Sequence, residues 1–191
     1  MKTLKKWQIK NSELVLDNRW AKVRRDTCVS PNRNIIDDYY YWEGSDFAQV
    51  FALTAQHEVV LVRQYKHPAR DVVLEFPAGL LMDSDEEPIS CAQRELREET
   101  GYEATDWRSL GVLNVSSGKA TTKAYCFLAL GATKVTQQQL DTNEQIEVLT
   151  LGIPELLRQI SCGGIRDSNS VATSLLALMR LGSLKLRETL L

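Results

Sequence analysis

The chain has 191 residues, 43% of them hydrophobic and 25% charged, an ordinary globular composition with enough length to bury a core. Its formal charge of −2 leaves no basic footprint for nucleic acid or for an acidic membrane surface. The four cysteines are scattered without a Cys-x-x-Cys pair, a pattern of reduced thiols rather than of a zinc site or a disulfide frame.

The opening Met1–Trp7 is basic, but no apolar segment follows it, so a signal peptide is not expected. No run approaches the length of a membrane span, and Val171–Leu181 is broken by Thr173, Ser174 and Arg180. A cytoplasmic protein is the resulting expectation. Residues 12–17, 20–29 and 35–43 read as strands, separated by turns at Asp17-Asn18-Arg19 and Ser30–Asn34. A second set of strands is expected at 47–54, 58–64 and 72–76. The last of these feeds Pro77-Ala78-Gly79, read as a tight loop in which glycine lets the backbone approach a ligand. His57 and His67 are too few and too far apart to suggest a metal site.

A helix follows. Ser84, Asp85 and Glu86 offer N-cap oxygens, Pro88 suits the first turn, and Gly101 suits a C-terminal cap. Within it, Arg94-Glu95-Leu96-Arg97-Glu98-Glu99 places Glu95 above Glu99 with Glu98 beside them, while Ile89, Ala92 and Leu96 form the adjoining core-facing arc. A charge run of this kind is most often a solvated face with i,i+4 ion pairs, and Arg94 with Glu98 would suit that account. Yet two carboxylates roughly 5 Å apart at an effective dielectric near 20 repel by about 3 kcal/mol. A divalent cation reverses that sign, and an oxygen-only set suits Mg²⁺, with Mn²⁺ as the alternative. Strands at 106–115, 123–130 and 145–151 and helices at 153–161 and 168–181 complete the chain. Strands and helices in this irregular order predict an α+β arrangement around a mixed sheet.

The stretch Gly79–Tyr102 resembles the Nudix box, G-x5-E-x7-R-E-U-x-E-E-x-G-U, where U is a bulky aliphatic or aromatic residue. Every fixed position from Glu86 through Arg94, Glu95, Leu96, Glu98, Glu99, Gly101 and Tyr102 matches. Gly79 to Glu86 is one residue longer than the pattern, and Asp85 holds the standard spacing. The resemblance implies a Nudix α/β/α sandwich with a mixed sheet over 45–191. Before it, residues 1–44 are expected to form a small antiparallel sheet that serves dimerisation and lines a base pocket.

Leu61–Lys66, Leu74–Gly79, Asn143–Val148 and Gly164–Asp167 are similar to the ADP-ribose pyrophosphatase and nucleotide-sugar branch of that superfamily. This likeness implies a homodimer that cleaves the pyrophosphate of a nucleoside diphosphate sugar into nucleoside monophosphate and sugar phosphate. Glu95 and Glu99, then Glu98, are the expected metal ligands, and the resemblance adds the Ala78 carbonyl. Arg94 is expected to orient them, since a guanidinium cannot bind a cation. The general base is expected on the loop 140–144, with Glu144 first and Asp141 second. Lys66 stands where the branch has arginine and is a candidate phosphate contact, as is Arg63. Trp20, Tyr39 and Tyr41 are candidates to stack on a base, with sheet packing as the competing reading. In the loop 114–122, Gly118 is kept, but Ser117 replaces a proline and Thr121-Thr122 replace acids, while Lys119 adds charge. That departure bears on substrate choice and keeps a GDP-sugar or dinucleoside polyphosphate open, as well as a non-catalytic nucleotide-sugar-binding module.

Overall fold

The computed structural model describes residues 3–82 and 87–183, so the expected N-cap residues Ser84, Asp85 and Glu86 lie outside the described residues. The described residues form two compact units, one of residues up to Ser45 with Asn114–Lys123, the other of Asp46–Leu113 with residues from Ala124 onward.

In the first unit, β1 (Gln8–Asn18), β2 (Ala21–Val29) and β3 (Ile35–Trp42) pair in that order as an antiparallel sheet. The first hairpin closes at Asn18, whose side-chain carbonyl accepts from the amides of Trp20 and Ala21 at 2.9 and 3.0 Å. Trp20 therefore lies in the turn and not, as expected, in the strand. The segment 114–123 joins this unit through Trp42, which donates to Lys119 O at 2.8 Å and accepts from Thr121 N at 3.0 Å.

The second unit is built on a mixed sheet. Its elements are β4 (Phe47–Thr54), β5 (Glu58–Lys66), β6 (Asp71–Glu75), β7 (Ala78–Leu80), β8 (Tyr102–Glu103), β9 (Asp106–Asn114), β10 (Lys123–Lys134) and β11 (Ile146–Gly152). The central order is β11-β5-β4-β10-β8, with β4 and β10 parallel and the other pairs of that row antiparallel. Helices α1 (Pro88–Thr100), α2 (Ile153–Ser161) and α3 (Ser168–Arg180) cover its faces.

The alternation of the central strands decides which helix packs where. Ala48, Val50, Ala52, Val60, Phe127 and Ala129 pack with Cys91, Ala92 and Leu96 of α1. Their neighbours Phe51, Leu53, Val59, Leu61 and Leu128 pack with Leu156 of α2 and Ala177 and Leu178 of α3. Both faces of β4 and β5 are thus buried, which is why those strands read as nearly continuous apolar runs.

Two further local expectations are corrected. The loop Ala78–Leu80 is a short strand paired antiparallel with Phe47–Gln49, because backbone groups this enclosed must find partners. Strand β10 continues past residue 130: Gly131, at φ 68°, forms a bulge and the ladder resumes at Ala132. Helix α1 is preceded by Glu87 in extended backbone, without a side-chain cap, and Pro88 supplies the preset φ of the first turn.

Candidate active site

The site is assembled on α1 and on the strap Phe76–Leu80 that crosses it. Gly101 ends α1 in the left-handed region, at φ 75°, and its amide donates to Arg97 O at 2.8 Å. Its missing Cβ also matters, since one would lie 2.2 Å from Thr136 O. Core packing of Ala92 and Leu96 fixes the rotation of the helix, and this turns Glu95 and Glu99 towards the strap.

Glu99 is 5% exposed, and its Oε2 accepts from the Ala78 amide at 3.0 Å. Burial pushes its carboxyl from 4.5 up to about 8; the Ala78 hydrogen bond opposes the rise, and the charge of Glu95 adds to it. Glu95 lies against Gly79 so closely that a Cβ there would sit 1.9 Å from Glu95 Cδ. Burial also raises the Glu95 carboxyl, the Arg94 hydrogen bond and charge lower it, and the charges of Glu98 and Glu144 raise it further. Arg94 joins strap and helix: Nη1 donates to Glu95 Oε1 at 2.5 Å and to Glu98 Oε2 at 3.1 Å, and Nη2 donates to Leu80 O at 3.2 Å.

Lys66, at the end of β5, pairs with Glu75 at 2.9 Å, and its charge also reaches Glu99. Glu75 is a site residue that sequence reasoning did not assign. It is nearly buried, accepts from Gln64 Nε2 at 3.0 Å, and has its carboxyl raised by burial against the opposing charge of Lys66. A cavity of about 270 Å³ beside the strap is lined by Lys66, Glu75, Ala78, Gly79, Asp167 and Asn169, among others. A neighbouring cavity of about 520 Å³ shares Lys66, Glu75 and Asp167. Asp167, also missed from sequence, caps α3 by accepting from Ser170 N at 2.7 Å.

Behind the strap lies a buried polar network. Ser170 Oγ accepts from the Phe76 amide and from Gln49 Nε2, both at 3.2 Å, and Thr173 Oγ1 donates to Gln49 Oε1 at 2.9 Å. The bonds span 94 to 124 residues in sequence, which hides them from any local pattern.

Glu144 lies in the loop before β11; its Oε2 accepts from Asp141 N at 3.0 Å, and its charge acts on Glu95. Arg63 is tied to Glu147 across the β5–β11 ladder and exposed. Trp20, Tyr39 and Gly118 belong to the first unit. Trp20 is 82% exposed under the Arg19 guanidinium, and Tyr39 OH donates to Gly118 O at 3.2 Å.

The donors fit a hard divalent cation in kind. They are carboxylate oxygens, and the Glu95 and Glu99 carboxyls are both raised, first by burial and then by neighbouring carboxylates, a deficit of positive charge that a cation fills. Among the described residues, no three His, Cys, Asp or Glu side chains are already grouped for a metal ion; Arg94 holds the Glu95 and Glu98 oxygens instead.

The site is thus a carboxylate-bearing helix under a glycine strap, on a mixed sheet covered by helices on both faces. Residues 47–160 match the NUDIX domain, and the chain belongs to that family. Residues 7–42 match the nucleoside diphosphate sugar hydrolase N-terminal domain. A methanol dehydrogenase activator of Bacillus methanolicus is 35% identical over 123 residues, 64% of this chain and 66% of that protein. An ADP-ribose pyrophosphatase of Mycobacterium tuberculosis is 30% identical over 153 residues, 78% of this chain and 72% of its own. The chain thus spans just under two thirds of the first relative's length. The crystal structure of an ADP compounds hydrolase superposes with a TM-score of 0.84 at 20% identity, over 96% of this chain and 98% of that one, and shares the fold. Among the described residues, no helix is long and apolar enough to cross a membrane.

Proposed function

We propose that the chain hydrolyses the pyrophosphate of a nucleoside diphosphate sugar, ADP-ribose or a close analogue, to a nucleoside monophosphate and a sugar phosphate. The observation that carries this reading is the buried Glu99 carboxylate, held by the Ala78 amide beside Glu95 and raised to about 8. Glu95, Glu98, Glu99 and the Ala78 carbonyl would hold Mg²⁺, or Mn²⁺ in its place. When bound, the cation supplies charge that offsets the pyrophosphate oxygens and lowers the pKa of a water.

The chain's own residues do the rest. Arg94 keeps Glu95 and Glu98 aimed and ties them to the strap through Leu80 O. Glu144 takes the proton of the attacking water, whose oxygen bonds to one phosphorus while the bridging P–O bond breaks. Lys66, beside Glu75 in the cavity, meets a phosphate as a point charge. Arg63 is a weaker candidate for that contact, since Glu147 already holds it.

Trp20 and Tyr39 stack on the base, with Gly118 in the loop that reads the sugar. The first unit exposes Leu16 and Trp42, which flank Val23 in the β1-β2-β3 register, an apolar surface that a second copy of the chain would cover. The assembly proposed on that surface is a homodimer, and the location proposed for it is the cytoplasm. A different diphosphate substrate is favoured by one observation, the threonines and Lys119 in the 114–122 loop where acids are usual.

The test is a panel of nucleotide sugars, GDP-sugars and dinucleoside polyphosphates with and without Mg²⁺, read as phosphate released after phosphatase treatment. Cation-dependent turnover of at least one nucleotide sugar is expected. Binding without turnover of any member would replace the hydrolase with a nucleotide-sugar-binding module.

A further inference from the structure

The loop 135–145, between β10 and β11, is stitched to the C-terminal end of α1. A helix leaves its last carbonyls without partners inside the helix, and here the loop supplies partners for those of Glu98 and Glu99. Val135 N and Thr136 N donate to Gly101 O at 2.9 and 3.2 Å, and Gln139 N donates to Glu98 O at 2.8 Å. The side chain of Gln138 makes the remaining link. Its Nε2 donates to Glu99 O at 2.7 Å and to Ile146 O at 3.0 Å, using both amide hydrogens.

Those two acceptors are informative. Glu98 and Glu99 carry carboxylates of the candidate metal site on the same residues whose carbonyls hold the loop. Ile146 begins β11, two residues after Glu144, so the Gln138 amide closes a span of 8 residues that contains both Asp141 and Glu144. Inside the span, Glu144 N donates to Asp141 O at 2.9 Å, and Asp141 N donates to Glu144 Oε2 at 3.0 Å, so the turn moves as one piece. A half-buried side chain thus joins three things: the helix end, the strand start and the base-bearing turn.

We propose that Gln138 is a positioning residue that sets Glu144 relative to the carboxylates of α1. This rests on the reading of Glu144 as the base. A residue that only completes the helix end would leave the placement of Glu144 unchanged, and this difference is measurable. Gln138→Met keeps the shape and removes both donors. It is expected to lower kcat by about 10- to 100-fold, the scale of a misplacement near 1 Å, with KM changed by less than about threefold. In a Glu144→Gln background the same substitution has no further effect, because groups that act as one unit are not additive.

Hydrogen exchange of the metal-free protein gives a readout without turnover. Amides of 139–145 exchange faster in Gln138→Met while those of α1 up to Leu96 do not. Gln138→Asn keeps the amide but shortens its reach, and it serves the same cycle and exchange measurement if the methionine variant does not fold. Equal losses in both backgrounds, or unchanged exchange in the loop, overturn the positioning role and leave the base assignment intact. Full activity of Glu144→Gln removes the base assignment and the positioning role together.

Discussion

Replacing Glu99 with glutamine takes a charge away from the most enclosed carboxylate of α1 without changing its shape, and the amide oxygen can still accept from Ala78 N. In the metal-free protein the folded carboxyl titrates at about 8 against an ordinary 4.5. Between those values the folded state binds the proton and the unfolded state does not, so stability falls as pH rises through the window. The slope from this group approaches about 1.4 kcal/mol per pH unit. The penalty is absent below about pH 4.5, on the order of 3 kcal/mol near pH 7, and level above about pH 8.

Glu99→Gln removes it. Urea denaturation with a chelator at several pH values from about 5 to 8 should therefore show the variant gaining on the parent as pH rises. With Mg²⁺ the order should reverse, since only the parent keeps the ligand and binding to the folded state adds stability. A stability difference that stays constant across that range would refute the argument that Glu99 is held as a buried, under-compensated acid.

Other outcomes follow from the same geometry. Gly79→Ala puts a Cβ 1.9 Å from Glu95 Cδ; turnover should fall by about 100-fold and Mg²⁺ affinity should weaken, both measurable by kinetics and calorimetry. Ser170→Ala leaves the buried Phe76 amide without its acceptor, and denaturation should report a loss of about 1–3 kcal/mol with weakened metal binding. Lys66→Met strips Glu75 of its ion pair and should raise KM for a pyrophosphate substrate more than it lowers kcat, as a steady-state comparison would show.

Much of this was legible in the sequence because it is local. The 3.6 period put Glu95 over Glu99 and Leu96 inward, the apolar runs of 47–54 and 58–64 marked the central strands, and Gly101 marked the helix end. What stayed hidden depends on contacts between distant residues. β7 is held by backbone pairing with β4 and carries no alternation over its three residues. Gly131 looks like a strand end because a bulge and a terminus share one residue type. Glu75 reads as an ordinary strand carboxylate until burial and Lys66 give it a role. Ser170 and Gln138 are unremarkable polar residues in the sequence, and only the folded chain brings them to Phe76 and to Glu99.

In the proposed function, the α1 carboxylates hold the cation on which pyrophosphate hydrolysis depends. ³¹P NMR of a nucleotide sugar, incubated with Mg²⁺ and either the parent or Glu99→Gln, tests it most directly. Loss of the pyrophosphate doublets and equal growth of two phosphomonoester signals are expected with the parent, and no change with chelator or with Glu99→Gln. Equal turnover by parent and variant would contradict it.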